Sequence, residues 1–253
     1  MITGSGDVSS IRIYDDADTL AAAAADDLAE SARRACAERG RFRVALAGGN
    51  TPRLLYTRLA SPELGAGIDW RRWHVFFGDE RGVPPDHAAS NYRMAAEALL
   101  SRVPLPEANV HRIRGELSAE TAALEYEAEL GDVPLDVVLL GMGDDGHTAS
   151  LFPGTSALDE RQRRVVPVTS PAAPHQRISL TFRALNEARR AVFLVTGAGK
   201  AERLTQVLAQ RADGAADPAT LLPSARVRPH TGIVDFYADH AAAARLPEEF
   251  LDG

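Results

Sequence analysis

Short apolar runs alternate with longer stretches of helical periodicity along most of the chain. Strands are predicted over 43–47, 74–77, 135–140, 191–196 and 231–237, with weaker runs at 165–168 and 177–181. Helices are predicted over 17–38, 52–59, 92–101, 119–130 and 200–211. This alternation is typical of an α/β protein with a largely parallel sheet. We therefore expect a Rossmann-like, single-domain open sheet with helices on both faces, formed by residues 11–253 after a flexible N-terminus over 1–10.

Three of the predicted strands end in loops that are rich in glycine and polar residues. The junctions read VALAGGNTP (44–52), VVLLGMGDDGHTA (137–149) and VFLVTGAGKA (192–201). In a parallel sheet such loops emerge together at the carboxyl edge, where open α/β sheets bind their ligands. Glycine lets the backbone approach a ligand closely, and the free N–H groups of a following helix attract phosphate. Glycine also turns a chain at strand ends without any ligand, but three such loops favour one anion-binding site.

Two nucleotide-binding motifs are matched only in part. The GMGDDG segment (141–146) has the glycine spacing of the dinucleotide fingerprint, but Pro153 interrupts the long helix that must follow. The segment 196–201 is similar to a P-loop, yet Leu194 replaces its first glycine and Ala201 its metal-binding hydroxyl residue. We therefore expect neither a nicotinamide or flavin site nor a nucleotidase.

Charge and composition narrow the range of partners. The formal net charge is −7, and no Lys/Arg cluster approaches the density of a nucleic-acid or membrane-surface segment. The longest apolar runs are far below the roughly 20 residues of a membrane span, so neither nucleic acid nor membrane is an expected partner. Cys36 is the only cysteine, which excludes an intrachain disulfide and a cysteine-built zinc site. The N-terminus shows no targeting pattern, and a cytoplasmic location is expected.

His147 is the leading candidate for the chemistry. It follows Asp144 and Asp145 in the tight loop after a buried strand. Imidazole titrates near neutral pH and can act as a general base, and a neighbouring carboxylate can fix its tautomer. A lone loop histidine is usually only a surface residue, but this setting favours a catalytic role. The other histidines show no H-x-H or H-x-x-x-H spacing, so no metal site is expected.

The segment FFGDERGVPPDHAASNYRM (76–94) places the charged triplet DER (79–81) directly after an apolar strand. Arg81 could bind a phosphate or the oxyanion of a reacting carbonyl. A solvated loop of ion pairs explains the same residues, and the chemistry alone leaves both alternatives open. In either case Ser90 or Asn91 is predicted to cap the following helix.

Three segments together resemble a known family. AGGNTP, GDERGVPPDHAASNYRM and GMGDDGHTASLFPG are similar to motifs of the 6-phosphogluconolactonases, whose superfamily also contains glucosamine-6-phosphate deaminase, and the resemblance extends over about 43–237. It implies hydrolysis of 6-phospho-D-glucono-1,5-lactone to 6-phosphogluconate, the second step of the oxidative pentose phosphate pathway. It also implies no metal or organic cofactor and a small-molecule phosphosugar lactone as the partner. A monomer or small homo-oligomer is expected.

The resemblance assigns roles to individual positions. The substrate-binding residues that it implies are Gly48, Gly49, Asn50, Thr51, Asp79, Arg177 and Lys200. The first four form the phosphate loop, with Arg177 and Lys200 as its cationic partners. The catalytic set is His147, which matches the histidine thought to activate water, together with Asp145 and Arg81.

Two rival functions remain. The deaminase branch has a glutamate seven residues after the matching aspartate, where this chain has Phe152, and an aromatic residue where this chain has Arg81. Phenylalanine cannot transfer a proton, so both departures favour the lactonase. The second rival is a sugar-phosphate-binding regulator without chemistry. His147 and its neighbouring carboxylates argue against that alternative.

Overall fold

The computed structural model describes residues 9–213, 217 and 219–250. Its strands are β1 (Ser9–Tyr14), β2 (Phe42–Leu46), β3 (Trp73–Phe77), β4 (Asp79–Arg81), β5 (Val137–Leu140), β6 (Val165–Thr169), β7 (Gln176–Leu180), β8 (Arg190–Val195) and β9 (Ile233–Asp239). Its helices are α1 (Ala17–Arg39), α2 (Asn50–Leu59), α3 (Pro62–Gly65), α4 (Asn91–Ala95), α5 (Ala119–Leu130), α6 (Phe182–Glu187), α7 (Ala201–Ala212) and α8 (His240–Ala243).

The main sheet is fully parallel, with strand order β1-β9-β8-β5-β2-β3. Every residue of the central strands β2 and β5 is buried. A parallel strand that is covered on both faces needs such a continuous buried run rather than an alternating pattern. Helices flank this sheet, and the predicted fold class is confirmed.

Strand β1 is absent from the predicted set and begins inside the segment expected to be a flexible N-terminus. Ser9 and Ser10 pair in register with Val234 and Asp235 of β9. The predicted boundary at residue 11 is therefore two residues too late, while residues 1–8 lie outside the described part of the chain. As a partly exposed edge strand, β1 lacks the continuous apolar run that reveals buried strands.

Strands β4, β7 and β6 form a separate antiparallel sheet. The weaker runs predicted at 165–168 and 177–181 are therefore strands, but they do not belong to the parallel sheet. Strand β4 is the charged triplet that follows β3, and it carries no apolar signal that could predict it. Its register places Arg81 opposite Arg177.

The capping residues of α1 mark both of its ends, whereas the helix predicted over 92–101 is not regular throughout. Helix α1 begins with a reciprocal cap between Asp16 and Thr19 and ends at Gly40, which has the left-handed φ of 78°. The helix predicted over 92–101 is α4 continued by a π-helical turn, Ala96–Leu100. In the described part of the chain, no helix combines the length and apolar character needed to cross a membrane.

The strand order reverses direction at β2. The chain passes from β2 to β3 on one side, whereas β5 pairs with β2 on the other. The loops after β2 and β5 consequently diverge and leave a crevice outside the carboxyl ends of the strands. One apolar core underlies both sheets, and it fixes these loops relative to one another.

Candidate active site

A cleft of about 280 Å³ opens at this reversal point. Its lining residues are Ala47, Gly48, Gly49, Gly78, Asp79, Arg81, Asn91, Leu139, Leu140, Gly141, Met142, Gly143, His147, Ala149 and Lys200. The predicted site residues among them are Gly48, Gly49, Asp79, Arg81, His147 and Lys200, whereas Asn50, Thr51, Asp145 and Arg177 do not line the cleft. Segments that are distant in sequence thus meet at the edge where the glycine loops were predicted to converge.

The glycine loop, residues 47–51, forms part of the cleft wall through Ala47, Gly48 and Gly49. Gly49 has a φ of 107°, a conformation that L side chains rarely adopt, and it starts α2 with no side-chain hydrogen bond at the cap. The first N–H groups of a helix have no partner within the helix, and they attract anions. The hydroxyl of Thr51 bonds that of Thr196 at 2.7 Å, which ties this loop to the loop after β8.

Two buried tyrosines hold the strand ends that precede the cleft. The Tyr56 hydroxyl accepts from Ala47 N at 2.9 Å and donates to Ala47 O at 2.8 Å. The Tyr126 hydroxyl accepts from Phe77 N at 2.7 Å and donates to Phe77 O at 2.9 Å. Burial raises the pKa of both phenols well above the ordinary value. Both hydroxyls therefore keep the proton that they donate, and sequence periodicity carries no signal for this arrangement.

Lys200 is the only lysine in the chain. It lies at the start of α7, lines the cleft and contacts the Asp144 carboxylate. The neighbouring Arg203 donates from Nε to Asp144 O at 2.8 Å. The loop after β5 is thus joined to α7 by one ion pair and one hydrogen bond, and a flexible ammonium group is positioned at the cleft wall.

The histidine loop, residues 141–147, holds an oriented imidazole. His147 Nδ1 lies 2.6 Å from Asp145 Oδ1, which also accepts from His147 N at 3.0 Å. Since a carboxylate only accepts, the proton of the neutral ring is placed on Nδ1 and Nε2 is left as the basic nitrogen. A Cβ atom on Gly143 would lie 2.0 Å from His147 Nδ1, so the ring needs glycine at that position.

The Asp145 carboxylate stays ionised beside this ring. Its partial burial opposes ionisation, but the hydrogen bonds from the backbone and ring of His147, with the charge of that ring, outweigh burial and lower the pKa of Asp145. Of the two carboxylates that precede His147 in the loop, Asp145 is the one that contacts the ring.

Phe152 packs against the imidazole. The two ring centroids are 4.5 Å apart, with planes tilted by 45°. The position that carries the proton-transferring glutamate in the deaminase pattern is thus filled by an apolar ring in contact with His147. This contact supplies no second acid or base.

Glu80, the central residue of the charged triplet, holds the start of α4. Glu80 is buried and accepts from the backbone N–H groups of Asn91 and Tyr92, both at 2.8 Å, and from the Ser90 hydroxyl. Desolvation raises the pKa of Glu80 despite these bonds. Ser90 caps α4 by accepting from Arg93 N, as predicted. The segment is therefore not a solvated ion-pair loop: its carboxylates organise the helix start and the cleft wall.

The arginines of this region form a cationic pair. Arg81 lines the cleft and donates from one Nη to Ala89 O, while its buried Nε has no hydrogen-bond partner among the described residues. Arg177 lies opposite Arg81 in the antiparallel sheet, and its Nε donates to Pro174 O at 2.8 Å. Burial and the Arg81 charge lower the pKa of Arg177. Arg177 thus adds positive potential behind Arg81 without lining the cleft.

Sequence patterns predict no place in the site for two of the residues that line the cleft, Asn91 and Ala149. The sequence offers Asn91 only as an alternative helix cap to Ser90, whereas its side chain donates to Asp79. Ala149 has a φ of 48°, in the left-handed region that costs a non-glycine residue about 1–2 kcal/mol. Among the described residues, no group of three or more His, Cys, Asp or Glu side chains could hold a metal ion.

The fold and the cleft define a class of protein. An open parallel sheet with a glycine-lined, cationic crevice at its reversal point is typical of α/β proteins that bind small phosphorylated ligands. The family model for glucosamine-6-phosphate isomerases/6-phosphogluconolactonase matches residues 15–235. The chain belongs to this family, and the resemblance drawn from its motifs is confirmed.

Individual relatives are similar over nearly the whole chain. The human 6-phosphogluconolactonase is 40% identical over 252 residues, covering 95% of each chain. A probable chloroplastic 6-phosphogluconolactonase of Oryza sativa subsp. indica is 39% identical, covering 93% of this chain and 76% of the relative. The crystal structure of 6-phosphogluconolactonase from Thermotoga maritima superposes with a TM-score of 0.78 at 33% identity, covering 91% of this chain and 99% of that one.

Proposed function

We propose that the protein hydrolyses 6-phospho-D-glucono-1,5-lactone to 6-phospho-D-gluconate, the second step of the oxidative pentose phosphate pathway. The lactonases from human and Thermotoga maritima support this assignment, because the sequence identity extends over almost their full lengths. We further propose that the chain from β1 onward works as one unit, because one apolar core underlies both sheets.

The observation that carries the proposal is the pairing of His147 with Asp145 in a cleft that also holds an anion-binding helix start and Lys200. In the proposed complex the substrate phosphate binds the N–H groups of the glycine loop and the ammonium of Lys200. The lactone carbonyl then lies beside His147. Arg177 strengthens the positive potential from behind Arg81.

The hydrolysis requires one base and one oxyanion site. His147 Nε2 takes a proton from water while the water oxygen attacks C1, and the carbonyl oxygen becomes an oxyanion. The oxyanion then re-forms a carbonyl as the C1–O5 bond breaks, and O5 takes the proton from His147 Nε2 to leave as a hydroxyl. The ring is neutral again, and the new carboxylic acid ionises by releasing its proton to solvent. Asp145 orients the ring and stabilises the imidazolium that forms.

Arg81 and N–H groups of the histidine loop are the proposed oxyanion donors. A donor aimed at the developing charge is typically worth roughly 10²-fold in rate. Arg81 suits this task because it lines the cleft and carries a positive charge, with Arg177 opposite it in the antiparallel sheet. Asp79 is held nearby by two side chains and shapes the wall between Arg81 and the glycine loop.

The decisive experiment is direct measurement of lactone hydrolysis. The lactone is generated freshly, and acid release by the protein is followed with the spontaneous rate subtracted. We expect saturable acceleration that is lost in His147→Ala. The same protein is incubated with glucosamine 6-phosphate, where no ammonia release is expected because Phe152 occupies the position of the required acid. Ammonia release without lactone hydrolysis would establish the deaminase instead, and binding without either reaction would establish the regulator.

A further inference from the structure

Asn91 stands at the wall of the cleft with its side chain held in one orientation. Its Nδ2 donates to Asp79 O at 2.9 Å and to Asp79 Oδ1 at 3.1 Å. Its backbone N–H donates to Glu80. An amide group has two flipped orientations, but the two Asp79 atoms that the side chain contacts are both acceptors. The nitrogen must therefore face Asp79, and the amide oxygen must face the other way.

That oxygen points at the glycine loop. A Cβ atom on Gly48 would lie 2.0 Å from Asn91 Oδ1, so the oxygen occupies the space that a side chain at Gly48 would need. The φ of Gly48 is not in the left-handed region. Glycine is thus required here for room rather than for backbone conformation, and the room is taken by an acceptor atom.

The Asn91 oxygen has no donor in the part of the chain that the structure describes. Buried side-chain polar atoms without a partner occur, in the same part, on Ser61, Arg81 and Arg164 only. Because Asn91 is absent from that group, its oxygen keeps access to the cleft, which the residue lines. Asn91 as a residue is only 2% exposed, and its oxygen is therefore a fixed, uncharged acceptor beside Gly48 at the cleft wall.

We propose that Asn91 is a substrate-binding and specificity-determining residue, whose amide oxygen accepts a hydrogen bond from one hydroxyl group of the phosphosugar. The assignment rests on the proposed function for the identity of the substrate. A neutral acceptor suits a hydroxyl donor and gains nothing from phosphate or from the lactone carbonyl, which are themselves acceptors. Since the amide is already immobilised by Asp79, little side-chain entropy is lost when the hydroxyl binds.

The test combines variants with substrates that lack one hydroxyl. The 2-deoxy, 3-deoxy and 4-deoxy forms of the 6-phospholactone are compared with the parent compound on the wild-type protein. We expect one of them to show kcat/KM lowered about tenfold, the usual worth of one neutral hydrogen bond. In Asn91→Ala the parent compound should lose a similar factor, and the same deoxy form should lose less than about twofold more.

Ser150→Ala is the matched control. The Ser150 hydroxyl donates to Asp79 Oδ2 at 2.6 Å, so this variant loosens Asp79 without removing the Asn91 oxygen. Its activity can fall, but its discrimination against the deoxy form should stay about tenfold. Equal discrimination in Asn91→Ala and wild type would overturn the proposal. A wild-type protein that accepts every deoxy form within about twofold would overturn it as well, even if Asn91→Ala fails to fold.

A binding measurement separates this proposal from the proposed function. Titration calorimetry with 6-phosphogluconate and its deoxy forms needs no turnover. If the wild type lacks lactonase activity but binds 6-phosphogluconate about tenfold more tightly than one deoxy form, and Asn91→Ala does not, the proposed function fails and Asn91 keeps its role. If the wild type is an active lactonase but shows no such preference for the parent compound over any deoxy form, in binding or in kcat/KM, Asn91 is not a substrate-binding residue.

Discussion

The histidine loop and the glycine loop border one cleft and are built in different ways. In the histidine loop side chains bond one another: Asp145 holds the His147 ring and leaves a single basic nitrogen. In the glycine loop the backbone is held from behind by Tyr56, and the N–H groups at the start of α2 remain available. Chemistry therefore depends on one oriented side chain, whereas anion binding is spread over several groups, and substitutions should affect the two loops unequally.

The largest effect is expected for His147→Ala. Loss of the general base should lower kcat by about 10²–10⁴-fold, while the dissociation constant for inorganic phosphate stays within about twofold. Steady-state kinetics and titration calorimetry measure the two quantities. His175→Ala is the control, because that ring bonds Ser170 O outside the cleft lining. Near-normal turnover in His147→Ala would rule out the proposed base.

Asp145→Asn should lower kcat by about 10–100-fold. The amide can turn its N–H₂ group toward Nδ1, and it no longer stabilises an imidazolium, so the orienting partner of the base is lost. KM should change little. The exposed Asp132→Asn carries the same charge change at a site where the carboxylate pairs with Arg164, and it should retain full activity. Equal kcat values for the two variants would show that Asp145 does not act through His147.

Lys200→Ala should weaken binding of the substrate phosphate, the function proposed for Lys200 and the glycine loop. A charged hydrogen bond to phosphate is worth roughly 1.5–3 kcal/mol, so KM should rise about 10–100-fold with kcat almost unchanged. Arg245→Ala removes one positive charge from an exposed pair with Glu202 and should leave KM within about twofold. A large loss of kcat at unchanged KM would instead place Lys200 at the reacting carbonyl.

The pH dependence of kcat/KM tests the histidine loop separately from the glycine loop. We expect kcat/KM, corrected for spontaneous hydrolysis, to rise with pH through one ionisation between about pH 5 and 8, by about tenfold per unit on its acidic limb. Asp145 does not titrate in this window, because its pKa is lowered. The stability that this carboxylate contributes is present above its unfolded pKa of about 3.9 and is lost only as pH falls through the lower folded value. A flat profile would argue against a histidine base.

The smallest effects concern the tyrosine supports. Tyr56→Phe leaves Ala47 N and O without their buried partner, and the free energy of unfolding should fall by about 2 kcal/mol. Tyr126→Phe removes the same pair of bonds from Phe77 and should cost a similar amount. Denaturant titration measures both. Only Tyr56→Phe should also raise KM, by about threefold, because it supports the glycine loop; equal KM values would separate that support from phosphate binding.

Much of the fold follows from local patterns. Residues close together in sequence determine the buried runs of β2 and β5. They also determine the cap of α1 at Asp16 and its end at the left-handed Gly40. The periodicity of an edge strand and of a charged strand is weaker, which is why β1 and β4 escape prediction. Their positions depend on partners more than 90 residues away, β9 for the first and β7 for the second.

The sequence by itself determined the chemistry of the two loops. Strand, glycine turn and polar residue are contiguous, so the approach of His147 to Asp145 and the exposed start of α2 depend on short-range geometry. Only the tertiary structure decided what surrounds them. The Asn91 amide faces Gly48 and Arg177 lies behind Arg81, because side chains from separate elements meet only when the sheets pack on a common core, and no local pattern encodes such a meeting.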